Sequence, residues 1–153
     1  DFNGVSLIPF KFAFRSSDVA TAVFALGYPL KWALGEDLKF TDGRISSKAG
    51  LGGDVTRYQH SAPISPGSSG GPLFDTNGNL LGLNVAGISR NLEEYVGANI
   101  SGVFYAVKTS YLIQLIDALP QSVNIPEKNN LEGKSLSEQV KILTDYVVLI
   151  NTR

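Results

Sequence analysis

The chain has 153 residues, 43% hydrophobic and 18% charged, with 13 Lys and Arg against 14 Asp and Glu. That length suits one domain, and a net charge of −1 provides no field to gather a polyanion, which argues against nucleic acid as a partner. No apolar run approaches the ~20 residues that span a bilayer, no signal-peptide pattern opens the chain, and the absence of Cys removes disulfides, thiol nucleophiles and thiolate metal sites together. The sequence also lacks Met and begins at Asp1, so the expectation is that either a leading segment was removed or this is a piece of something longer, and its one His limits every acid–base scheme.

Taken in chain order, Val19 to Leu26 is apolar at nearly every position, the pattern of a strand buried on both faces. It stops at the turn signal Gly27-Tyr28-Pro29. Lys39 to Ser47 predicts a second strand, with Phe40 and Ile45 as candidate inward residues around Asp42-Gly43, and Asp54 to His60 a third, from its Val, Thr and Tyr content. Pro63 to Gly71 is too rich in Pro, Gly and Ser for regular structure. Pro72-Leu73-Phe74 and Leu80 to Val85 read as a hairpin across Asp75-Thr76-Asn77-Gly78, whose Asn-Gly pair is a strong hairpin signal. Val103 to Val107 closes a set of about six short strands, the pattern of a barrel or sandwich.

The period then changes. Thr109 is a candidate N-cap for a helix over Ser110 to Leu119, which Pro120 ends. Gln121 to Lys134 reads as linker. Ser135-Leu136-Ser137-Glu138 has capping-box form and predicts a second helix to Leu149, with Leu136, Val140, Leu143 and Val147 on one stripe. These signals divide the chain into residues 1–119, a linker over 120–134, and an additional helix and tail over 135–153.

One segment carries recognisable chemistry, Ser65-Pro66-Gly67-Ser68-Ser69-Gly70-Gly71-Pro72-Leu73. Gly67 lets the backbone turn so that successive N–H groups face one hollow, and Ser69 places a hydroxyl beside them. Gly70 and Gly71 remove side chains that would block a substrate. Such a hollow suits the oxygen of a tetrahedral intermediate, for which one donor is worth about 3–4 kcal/mol of barrier. Taken alone, the loop is equally a turn between strands.

Pro66 to Phe74 resembles the nucleophile loop of trypsin-like serine peptidases, especially the HtrA (Deg) branch, with Ser68 where that branch usually has Asn. Val23 to Leu30 is similar to the family's "VVAIGNPFG", Thr41 to Ser46 to "TSGIVS", Asn79 to Asn84 to "GEVIGIN", and Val103 to Val107 to "GFAIP", all in the family's order. The resemblance implies the second six-stranded antiparallel β-barrel of a two-barrel peptidase, an all-β unit followed by C-terminal helices. It implies Ser69 as nucleophile and an oxyanion hole in the turn Gly67-Ser68-Ser69, through the N–H groups of Gly67 and Ser69. Asn84, Val85, Ala86 and Gly87 would pair with an extended polypeptide substrate, and Pro63 and Ile64 would floor the pocket for the residue before the scissile bond. The base and its orienting Asp would lie in an upstream N-terminal barrel outside this chain, which would leave the isolated chain nearly inert.

His60, the only imidazole, stands nine positions before Ser69. The resemblance places it on the strand entering the loop, as a pocket residue or an ordinary surface or hydrogen-bonded residue rather than the base. No cofactor is implied and no spacing suits a metal site or paired catalytic carboxylates. Gly50 to Gly53 lacks the ending of a phosphate loop, Glu93 and Glu94 read as solvated, and Trp32 falls in a loop that the family uses for regulation or substrate contact, or equally caps a barrel end. The rival expectation is a catalytically dead trypsin-like pseudopeptidase that serves as a peptide-binding or interaction module. The matched branch favours a periplasmic or secreted setting, though no residue fixes the compartment.

Overall fold

The computed structural model describes residues 8–85, 101–121, 123–148 and 150. Six strands, β1 (Ala22–Gly27), β2 (Lys39–Ser47), β3 (Arg57–His60), β4 (Pro72–Asp75), β5 (Leu80–Val85) and β6 (Phe104–Lys108), close into an antiparallel barrel in the order β1-β2-β3-β6-β5-β4. Phe24 of β1 lies opposite Asp42 of β2 on one side and Phe74 of β4 on the other. His60 lies between Ile45 and Phe104, and Asn84 opposite Ala106.

The strand period of two explains the continuous apolar run of β1. Val23 and Ala25 point inward and pack with Ile45, Tyr58, Leu73 and Leu81. Phe24 and Leu26 point outward, yet are buried in a second cluster with Phe12, Leu131, Leu143 and Val147. The barrel therefore has a covered outer face as well as a core. The same period corrects one sequence expectation: Ile45 faces the core, but Phe40, five positions away, falls on the other face, 40% exposed and stacked on Phe24. Val19 is likewise exposed, because β1 begins only at Ala22, after Ala20 takes a left-handed φ of 71°.

The predicted hairpin is present. The Asp75 carboxylate accepts from the N–H groups of Asn77 and Asn79 and fixes the turn. A four-residue helix α1 (Lys31–Leu34) follows β1 and holds Trp32 87% exposed, so Trp32 caps no barrel end. Helix α2 (Thr109–Asp117) follows β6, with Lys108 at the N-cap rather than Thr109. The Thr109 hydroxyl instead lies within hydrogen-bonding distance of the Ala13 and Leu81 carbonyls, tying the helix to the barrel.

Helix α3 (Leu136–Leu143) starts at the predicted capping box: Glu138 N–H donates to the Ser135 hydroxyl, and Ser135 N–H donates to the Glu138 carboxylate. Such a cap is worth about 1 kcal/mol. Buried Gln139 donates its amide to the Thr76 carbonyl at 2.8 Å, pinning α3 to the β4–β5 turn. The helix ends earlier than its apolar stripe predicts. A 3-10 turn over Thr144–Tyr146 follows Leu143, and Val147 is extended. The β-branched run Val147-Val148 weakens the helix locally, and the extended form lets Val147 enter the outer cluster while the Tyr28 hydroxyl donates to its carbonyl at 3.2 Å. Among the described residues no helix is long and apolar enough to cross a membrane.

Candidate active site

The loop between β3 and β4 is held from three sides. Within it, Ser68 N–H donates to the Ser65 carbonyl at 2.9 Å and Gly71 N–H to the Ser68 carbonyl at 3.0 Å. From β5, the Asn84 carbonyl accepts from Gly70 N–H at 2.8 Å, Asn84 N–H donates to Gly71 O at 2.8 Å, and its side-chain amide donates to Pro72 O at 3.1 Å. From the turn after β1, Leu30 N–H donates to the Pro66 carbonyl at 2.9 Å. Leu30 reaches that bond with φ of 43°, one of two non-glycine residues in the left-handed region among those described.

The two adjacent serines differ sharply. Ser68 is buried, its hydroxyl 3.4 Å from where a Cβ on Gly27 would stand, whereas Ser69 is exposed. Gly67, at φ of 98°, turns the chain just before them. The N–H of Ser68 is committed to Ser65, but those of Gly67 and Ser69 have no acceptor among the described residues. An exposed hydroxyl thus stands beside two free backbone donors. Ser69 also borders a cleft of about 490 Å³ whose lining includes Tyr28, Phe10 and Val147.

Of the other residues singled out in the sequence, Pro63 is exposed and Ile64 packs half-buried against the barrel interior. Asn84 is fully buried, with its backbone N–H and carbonyl both occupied by the loop. Val85, half-buried opposite Tyr105, ends β5. Ala86 and Gly87, with Glu93 and Glu94, lie outside the described residues. Sequence reasoning marked Gly27-Tyr28-Pro29 as a turn, but not that this turn braces Pro66 and Gly67, because the contact joins segments almost forty positions apart.

His60 is 0% exposed and both its ring nitrogens lack a partner, as does the neighbouring Asn84 Oδ1. Burial pushes its pKa down to about 4. The backbone of Tyr105 and Ala62 and the Asn84 side chain offset part of that shift, although none meets the ring at hydrogen-bonding geometry. The folded chain therefore resists protonation at a site that protonates near 6.5 when unfolded. Stability is full above pH 6.5 and falls by about 3 kcal/mol in total as pH drops from there through 4. Urea unfolding from pH 7 to 4 measures this, and His60→Gln should flatten the trend; equal slopes for both proteins would show that His60 is not its origin.

Comparison with known proteins agrees with this geometry. The trypsin-like peptidase domain matches residues 2–83. Protease Do-like 1 of Arabidopsis thaliana chloroplasts is 36% identical over 108 residues, covering 66% of this chain and 22% of its own length. The serine protease Do-like HtrA of Bacillus subtilis is 36% identical over 94 residues, 54% of this chain and 20% of its own. The crystal structure of a serine endoprotease from Yersinia pestis superposes with a TM-score of 0.57 at 26% identity, covering 76% of this chain and 36% of that one. The chain thus spans about a fifth of the length of these two curated relatives. A closed six-stranded barrel, a Gly-Ser-Ser-Gly-Gly loop projecting one exposed serine, and a match over 82 of 153 residues lead to one assignment: the chain belongs to the trypsin-like peptidase family, in its HtrA-type branch.

Proposed function

We infer that this chain is the nucleophile-bearing part of a serine endopeptidase. The observation that carries the reading is Ser69, exposed and flanked by the unpartnered N–H groups of Gly67 and Ser69. In this reading the Ser69 hydroxyl attacks the scissile carbonyl, and the two N–H groups hold the developing oxyanion. A base takes the serine proton and returns it to the leaving amine, and water then hydrolyses the acyl-Ser69 ester. Residues 1–119 form the catalytic barrel with its closing helix, and 135–153 an accessory element.

The base comes from outside these residues. A serine hydroxyl needs a neighbouring base to become a useful nucleophile, yet the only imidazole in the chain is enclosed in the barrel and has no hydrogen-bond partner. An upstream barrel that supplies His and Asp satisfies the requirement. The commitment of Asn84's backbone to Gly70 and Gly71 means that an extended peptide pairing with β5 would do so beyond Asn84.

A fluorophosphonate probe on the full-length protein tests this directly. Covalent label mapped to Ser69, lost in Ser69→Ala, is the expected result. A full-length protein that takes no label would leave Ser69 without its base and transfer the assignment to peptide binding without cleavage.

A further inference from the structure

The cleft beside Ser69 has two kinds of lining. Gly67, Ser69, Gly70 and Gly71 line it with backbone, and the N–H groups of Gly67 and Ser69 have no acceptor among the described residues. Phe10, Phe74 and Leu80, with Val147, Val148 and Ile150 in the segment after α3, give it apolar lining. That segment is anchored: Val147 is buried in the outer cluster and its carbonyl accepts from the Tyr28 hydroxyl. Its neighbours are not buried. Val148 is 68% exposed and Ile150 81% exposed, yet both border the cleft. Two exposed apolar side chains therefore border the groove close to an anchored residue, Val147.

We propose that Tyr146, Val147, Val148 and Ile150 and the Gly67–Pro72 loop together form a binding site for an apolar side chain of a peptide substrate, on the leaving-group side of Ser69. This rests on Ser69 being the nucleophile. The occupant follows from the two kinds of lining. Unpaired N–H donors call for a carbonyl oxygen, and an apolar wall within the same 490 Å³ calls for a hydrocarbon group attached near it. A peptide carries both at adjacent positions. The side of the scissile bond follows from what the cleft leaves out. Pro63, Ile64 and Val85, which suit the pocket for the residue before the scissile bond, do not line it. It lies instead along Gly70, Gly71 and Pro72, beyond Ser69 in the chain, and against Gly27 and Tyr28. The segment thus acts as a specificity wall, built from the part of the chain after the barrel.

The test uses the full-length protein and two peptide series that differ only in the two residues after the scissile bond, Leu in one and Glu in the other. The wild type should cleave the Leu series about tenfold faster in kcat/KM, the usual discrimination of one apolar contact. The double variant Val148→Lys with Ile150→Lys changes only exposed side chains, so it should fold. It is expected to lose about tenfold in kcat/KM on the Leu series, mostly through KM, and to gain on the Glu series. Leu115→Lys, equally exposed but on α2, should keep the wild-type preference. Unchanged selectivity in the double variant, with Ser69 still taking the fluorophosphonate label, would overturn the proposal and mean that another part of the intact protein fills the cleft. A wild type that takes no label removes the nucleophile reading, and this proposal falls with it.

Discussion

Replacing Ser69 by Ala in the full-length protein is expected to lower kcat by roughly a million-fold, the loss seen when a triad nucleophile is removed. KM should change little, because the methyl and methylene of the two side chains occupy the same place. Ser68→Ala is the informative partner. The two serines are adjacent and chemically identical, but Ser68 is buried against Gly27 and its N–H is committed to Ser65. Its replacement removes a packed hydroxyl and no group that faces substrate, so kcat should fall by less than about tenfold. Peptide hydrolysis by the two variants decides the matter. Activity kept in Ser69→Ala and lost in Ser68→Ala would assign the nucleophile to the wrong member of the pair. Reversal of that kind would require the loop to rearrange around Gly67.

Much of this was legible in the sequence because its signals are local. The bounds of β2, the Asp75 to Gly78 turn and the capping box at Ser135 each depend on a few neighbouring residues, and the structure reproduces them. Resemblance to a peptidase loop located Ser69, and the structure adds that it is the exposed serine of the two. What stayed hidden depends on contacts between distant segments. The face of Phe40 follows from strand parity, but its burial depends on what covers that face. His60 becomes an enclosed residue only when β2, β3 and β6 close around it. The β-branched run Val147-Val148 is a local hint that the helix stops short, but nothing local says that Val147 and Val148 border the same cleft as a loop some eighty positions earlier. The apolar stripe of that helix says that something is covered, and only the closed barrel says what.

The turn proposed to carry the oxyanion donors should be the most fragile part of the site, and Gly67→Ala is expected to show it. Gly67 sits at φ of 98°, and a methyl there would lie 2.9 Å from the Tyr28 carbonyl oxygen and 3.3 Å from Leu30 N. Both are backbone atoms, and the Leu30 N–H to Pro66 bond locks them to the loop, so neither can yield without moving the donors. Loss of one oxyanion donor lowers kcat by about a hundred- to a thousand-fold, and the left-handed φ adds about 1 kcal/mol of strain. Gly70→Ala separates the two effects. Gly70 has a similar φ of 85°, but nothing lies within 4 Å of a methyl placed on it. It should show the same loss of stability in urea, while its activity defect appears in KM, because Gly70 lines the cleft. A common fall in stability with a split between kcat and KM would trace the Gly67 defect to displacement of the donors by the Tyr28 turn. Identical kinetics for the two variants would mean that backbone strain alone governs the loop and that the Tyr28 to Leu30 brace has no part in catalysis.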